Sequence, residues 1–158
     1  MSVEDSRGNN LDTVKDASYV IPYLRYAVRE QETAKQNDLT MDIIDGLSGA
    51  DFETVCAYLM LYDGFLDVEQ TAATGDYGVD IIARKGGITY GVQCKRHRSP
   101  VGNKPVQEVF AGCAHYGCDR ALVMTNSVFT KGAVQLAKDT GVELFDRYDI
   151  QRLLDTWE

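Results

Sequence analysis

The sequence predicts an α/β fold in which a mixed β-sheet is covered by helices on both faces. Three observations carry this expectation. After an N-terminal helical extension, segments of helical and strand periodicity follow one another in the order α-β-β-β-α-β-α-β-α. Gly86-Gly87 joins two strand-like runs as a tight hairpin. The segment Arg120 to Thr125 is too continuously apolar, from Ala121 to Met124, to face water on one side.

Taken in order, residues 1–16 are polar, contain Gly8-Asn9-Asn10 and lack periodicity, which predicts a disordered tail. A helix is expected from Ala17 to Gln36, with Val20, Leu24 and Val28 along one stripe and Pro22 tolerated near its first turn. Asn37 to Thr40 reads as a connector. Residues 1–40 therefore form an N-terminal tail and helix, and residues 41–158 form the main domain. Within it, Ser48 followed by Asp51 has the form of a helix cap, and Phe52, Val55, Cys56, Leu59 and Met60 recur at the spacing of an amphipathic helix closing near Asp63-Gly64. Leu66 to Thr71 is expected as a strand and Ala72 to Tyr77 as a loop. Gly78 to Arg84 and Ile88 to Lys95 make the two hairpin strands. A helix from Lys104 to Tyr116 ends at Gly117, and the apolar strand Arg120 to Thr125 follows. A helix from Thr130 to Asp139 then ends at Gly141, before a strand at Val142 to Phe145 and a last helix at Tyr148 to Trp157.

At 158 residues and 44% hydrophobic content, the chain can fill one ordinary core. No apolar run reaches the roughly 20 residues of a membrane span, and Met1 to Asn10 is polar, so a cytoplasmic protein without signal peptide or membrane contact is expected. Cys56, Cys94, Cys113 and Cys118 sit inside apolar patterns without Cys-x-x-Cys pairing, which argues for small buried hydrophobes and against a disulfide framework or structural zinc.

A net charge of −8 disfavours a polyanionic partner at long range. Its distribution reverses that conclusion. Between Arg84 and Lys104 lie Arg84, Lys85, Lys95, Arg96, Arg98 and Lys104, together with His97, and no acid. A solvated loop is one meaning of such a run, and a phosphate-binding surface is the other.

The hairpin fixes what this run adjoins. With Gly86-Gly87 as a two-residue primed turn, Lys85 pairs with Ile88 and Asp80 falls opposite Gln93. One face then collects Val79, Ile81, Ala83, Tyr90, Val92 and Cys94, and the other holds Gly78, Asp80, Gln93 and Lys95. Opposed strand residues have Cβ atoms roughly 5 Å apart, so a carboxylate and an amide oxygen there could share one Mg²⁺, with the lysine within reach of a polarised water. An exposed polar face with an Asp80 to Lys95 salt bridge is the plainer alternative.

Phe52-Glu53, then Gly75-Asp76-Tyr77-Gly78-Val79-Asp80, then Gln93-Cys94-Lys95 and a basic loop closely resemble the Mrr-like restriction endonucleases. These form a Gln-x-Lys branch of the PD-(D/E)xK nuclease superfamily. The resemblance runs from about Met41 to Leu154 and implies the restriction-endonuclease-like fold. It also implies a Mg²⁺-dependent deoxyribonuclease, with Mn²⁺ able to substitute. By the same resemblance, Asp80 is the principal metal-binding carboxylate, Lys95 orients or activates the attacking water, and Gln93 takes a place where many relatives carry an acid. Glu53 completes the metal environment, the backbone carbonyl of Cys94 is a further ligand, and Gln107 is a polar residue close to the site. Arg84, Lys85, Arg96, His97, Arg98, Lys104 and Gln107 make up the expected nucleic-acid-binding set.

The partner so implied is DNA, and a homodimer fits because duplex cleavage usually needs two active sites. No nucleotide-binding loop is present. Phosphate contacts give position without sequence readout, and no recognition helix or zinc finger is evident. Two other functions are compatible with the residues: a catalytically inactive nucleic-acid-binding module of the same fold, and an oligomerising interaction domain using Tyr19, Tyr23 and Tyr26. His97 and His115 are expected in structural or surface roles. Thr125-Asn126-Ser127 reads as a turn that could touch phosphate.

Overall fold

The sheet of this protein is built outward from the Gly86-Gly87 turn. In the computed structural model, which describes residues 39–71 and 77–156, β2 (Ile81–Lys85) and β3 (Ile88–Lys95) pair antiparallel. Their partners run from Lys85↔Ile88 to Ile81↔Val92. This is the register expected from a primed turn, and both glycines carry the positive φ that such a turn demands, +58° and +78°. The outer neighbour of β2 is β1 (Leu66–Gln70), antiparallel to it. On the other side β4 (Arg120–Thr125) and β5 (Glu143–Phe145) add in parallel, giving a mixed sheet in the order β1-β2-β3-β4-β5. β4 lies between two strands and is buried from Ala121 to Thr125, which explains its unbroken apolar run.

Helices α1 (Met41–Asp45), α2 (Gly49–Tyr62) and α5 (Arg147–Asp155) cover one face, with Ile44, Phe52, Leu59, Ile150 and Leu154 packed on Ile81, Val92 and Met124. Helices α3 (Asn103–Tyr116) and α4 (Lys131–Thr140) cover the other, where Val106, Val109, Ala133 and Ala137 meet Val79 and Val123. Ser48 caps α2 through the amide of Asp51 at 3.1 Å. Asp146 and Asp149 form a reciprocal capping box on α5.

The sequence-based expectations change in four places. The sequence marks no separate element at the start of the domain, where the structure has the short helix α1, capped by Thr40 through Ile43 N. Helix α2 is not amphipathic, because every residue from Val55 to Leu61 is buried. It is enclosed by the sheet, by the Leu39 to Leu47 segment and by α5. Strand β2 begins at Ile81, not Gly78, and Val79 packs in the cluster opposite to that of Ile81. The cause is a local break at Asp80, whose N–H donates to Val92 O at 2.7 Å, so that Asp80 and Ile81 both address Val92. Asp80 therefore does not sit squarely opposite Gln93. The helix expected over Ala17 to Gln36, the tyrosines Tyr19, Tyr23 and Tyr26, and Trp157 lie outside the described residues.

Candidate active site

The break at Asp80 is what frees its carboxylate from the regular alternation. Asp80 O still accepts from Thr71 N at 2.8 Å, and Thr71 Oγ1 donates to Val79 O at 2.7 Å, so the backbone is held from the β1 side. The side chain then takes over a ladder position: Asp80 Oδ2 accepts the N–H of Cys94 at 2.8 Å. This brings the carboxylate against the Gln93-Cys94-Lys95 segment from the edge of β3.

Gln93 and Lys95 alternate with Cys94 along the strand, so the two outer residues face α3 and the thiol faces α2. Gln93 is 4% exposed. Its Nε2 donates to Glu108 Oε2 at 3.0 Å and to Gly78 O at 3.3 Å. Its Oε1 is buried and, among the described residues, has no hydrogen-bond partner. A buried acceptor without a donor is costly, about 1–3 kcal/mol. Rotating the amide is no remedy, since both groups around Nε2 are acceptors.

The Cys94 thiol lies beside Cys56, Asp80 and Glu53, and burial first, then these neighbours, pushes its pKa well up. Glu53 reaches this region from α2 and accepts from Gln70 Nε2 at 3.2 Å. Asp80, Gln93 and the Cys94 backbone are thus gathered at one end of β3, with Glu53 arriving from the α2 face and the Gln93 amide turned to the α3 face. Among the described residues no three His, Cys, Asp or Glu side chains cluster as a metal site. A set of two carboxylates, one amide oxygen and one backbone carbonyl is a different, all-oxygen donor set that suits Mg²⁺. The partnerless Gln93 Oε1 is an oxygen of the kind such an ion takes, on an amide turned to the face of β3 opposite to Glu53.

The basic residues divide into two groups. Arg84 pairs with Thr89, and Lys85 holds the Asp63 carboxylate at 3.4 Å and lies over the Phe65 ring. From Thr89 to Lys95 the strand spans roughly 20 Å, so Arg84 and Lys85 stand at the far end of the hairpin. Lys95, Arg96, His97 and Arg98 remain together at the near end. Their loop is pinned by the buried Thr125-Asn126-Ser127 turn: Thr125 Oγ1 donates to Lys95 O at 2.6 Å, Asn126 Oδ1 accepts from His97 N at 2.7 Å, and Ser127 Oγ donates to Ser99 O at 2.9 Å. Asn126 Nδ2 donates in turn to Asp45 Oδ1 at 3.0 Å, and Arg147 bridges Asp45 and Asn126 O. Lys104 pairs with Glu108 at 3.8 Å, and Gln107 is exposed on α3.

Glu108 and the Asp45 anchor were not singled out by sequence. The signal for Glu108 was available: it is the acidic residue of a helix that follows directly on the acid-free basic run. Nothing local marks Asp45, whose partners lie 81 and 102 residues away. A cleft of about 530 Å³ between α2, α5 and the sheet is lined by Leu59, Phe65, Tyr90 and Met124 and touches none of the metal-site candidates.

A model of the Mrr catalytic domain, described as restriction endonuclease, matches residues 44–154. Two solved structures resemble the fold. One is a protein of unknown function, AF1548, with a TM-score of 0.58 and 22% identity over 66% of this chain and 64% of that one. The other is AspBHI, a DNA modification-dependent restriction endonuclease, with a TM-score of 0.57 and 20% identity over 72% of this chain and 33% of that one. The alignments thus span less than two thirds of either neighbour's length. No curated protein sequence matches the chain. Among the described residues no helix is long and apolar enough to cross a membrane.

Proposed function

The chain belongs to the Mrr-type restriction endonuclease family, and on that premise we propose that it is an endonuclease that hydrolyses DNA phosphodiester bonds with Mg²⁺ held by Asp80, Gln93, the Cys94 carbonyl and Glu53. The observation that carries the reading is the buried Gln93 Oε1, an acceptor with no donor among the described residues, one residue from the Asp80–Cys94 hydrogen bond. When bound, the ion supplies charge neutralisation at the phosphate, a lowered pKa for water and stabilisation of the 3′ leaving oxygen, and Mn²⁺ substitutes for it. Lys95 places an ammonium on the same strand face as Gln93 and offsets charge developing on phosphorus. Arg96, His97 and Arg98 hold flanking phosphates from a loop whose backbone is fixed before substrate arrives, and Lys104 does so from the first turn of α3. Arg84, Lys85 and Gln107 have lesser parts, the first two because of their distance. A homodimer brings two such sites to a duplex.

The test is cleavage of supercoiled, linear, single-stranded, branched and modified DNA in Mg²⁺ or Mn²⁺, beside Asp80→Ala and Lys95→Ala. Modified DNA is included because AspBHI is modification-dependent. Cutting that needs metal and disappears in both variants is expected. Salt-sensitive binding without any cutting would replace the enzyme by a binding module of the same fold.

A further inference from the structure

We propose that Glu108 is a positioning residue that makes Gln93 usable as a metal ligand, a reading that rests on the function proposed above. A carboxylate presents oxygen whichever way it turns. A glutamine amide has a wrong end: its Nε2 repels a cation as its Oε1 attracts one. A neutral residue at this position therefore works only if something fixes the amide.

Glu108 and Gly78 do so together. Both groups around Nε2 are acceptors, at 3.0 and 3.3 Å, so the opposite orientation would set Oε1 against a carboxylate and a carbonyl. The two arms of this clamp are themselves fixed to each other. Gly78 has φ +79°, and a Cβ there would stand 2.7 Å from Glu108 O. One turn further along α3, a Cβ on Gly112 would stand 2.0 Å from Tyr77 O. The loop before Asp80 thus lies directly on α3, and the glycine of the Gly-x-Asp motif is there to let Glu108 and the Gly78 carbonyl converge on one amide. The carboxylate also polarises the amide, which strengthens Oε1 as a donor to an ion. In effect Glu108 lends the site part of the negative charge that a carboxylate at position 93 would carry.

The decisive experiment is calorimetric Mn²⁺ titration of the metal-free protein, with melting curves to verify folding, for wild type, Glu108→Ala, Gln93→Glu, the double variant Gln93→Glu/Glu108→Ala, and Asp80→Ala. Glu108→Ala is expected to weaken Mn²⁺ binding by about 10-fold or more, the usual cost of losing a group that orients a ligand. In the Gln93→Glu background the sign reverses: a carboxylate needs no orienting, two carboxylates repel, and Glu108→Ala tightens binding. Amide proton spectra of the metal-free protein give a second readout, with the distinct, slowly exchanging Gln93 side-chain amide signals lost in Glu108→Ala. Equal binding by wild type and Glu108→Ala, or equal weakening in both backgrounds, overturns the clamp and leaves the nuclease reading standing if Asp80→Ala still abolishes binding. A wild-type protein that takes up no Mn²⁺ overturns both.

Discussion

The Asp80 carboxylate accepts the backbone N–H of Cys94 at 2.8 Å, so one side chain closes the hairpin ladder and stands at the proposed metal site. Substitution separates the two roles. Asp80→Asn keeps an acceptor and removes the charge, and is expected to lower metal-dependent cleavage at least ~100-fold while changing stability by less than about 1 kcal/mol. Asp80→Ala also strands the Cys94 N–H and should cost about 1–3 kcal/mol. Urea denaturation and single-turnover cleavage of the pair decide it; an Asn variant that cuts at the wild-type rate removes Asp80 from the site.

Gly78→Ala is expected to be far more damaging than Gly86→Ala. Both residues have positive φ, +79° and +58°, but a Cβ at Gly78 meets the Glu108 backbone at 2.7 Å whereas the space at Gly86 is open. The turn variant should lose about 1–2 kcal/mol, and the site variant clearly more, because backbone has to move. Thermal melts measure the gap, and equal losses would mean that the loop is not seated on α3.

Arg98→Ala and Lys85→Ala should differ in their effect on DNA binding. Arg98 lies in the anchored loop beside Lys95, whereas Lys85 is engaged with Asp63 and Phe65 at the far end of the hairpin. The Arg98 variant is expected to bind more weakly and to reduce the salt slope by about one, with Lys85→Ala near wild type. A larger loss from Lys85→Ala would move the DNA path to the hairpin tip.

Asn126→Ala should destabilise the protein by about 1–3 kcal/mol, because it strands the His97 N–H and removes one of the bonds to the Asp45 carboxylate, which keeps Arg147. Hydrogen exchange should then rise across Arg96 to Val101 before it rises in β4. Uniform exchange in both would show that the loop opens only with the whole fold.

Cys118 gives the expected pH dependence. Burial, with Cys113 and Asp119 adding to it, pushes its thiol from the ordinary 9.0 up to about 12. The folded state therefore holds a proton that the unfolded chain releases first. The associated stability is complete below about pH 9 and is lost as pH rises toward 12. Melting temperatures from pH 8 to 11 should fall more steeply for wild type than for Cys118→Ala, and parallel curves would refute the assignment.

Much of this arrangement was legible in the chain. The hairpin register followed from Gly86-Gly87 alone, because a two-residue turn leaves no freedom in pairing, and the buried run Ala121 to Met124 announced an interior strand. The break at Asp80 was not legible: strand alternation assigns Val79 to the face of Ile81, and only packing against α3 shows otherwise. The same limit hid Glu108. Sequence spacing reports neighbours along one element, whereas the Gln93 amide is held by a loop and a helix each 15 residues away in opposite directions. Helix α1 is five residues long, too short for a periodic signal.

The two edges of the sheet bear on how copies of this protein can meet. At one edge β1 loses register between Leu66 and Glu69, where Asp67 has a φ of +51°; at the other, β5 is three residues long. A kinked, acid-bearing margin and a stub are poor templates for a foreign strand, which guards the folded molecule against edge-to-edge polymerisation. Among the described residues, pairing of two copies across a duplex therefore falls to helices or loops, leaving the hairpin that carries the proposed site in the interior of each sheet undisturbed by the partner.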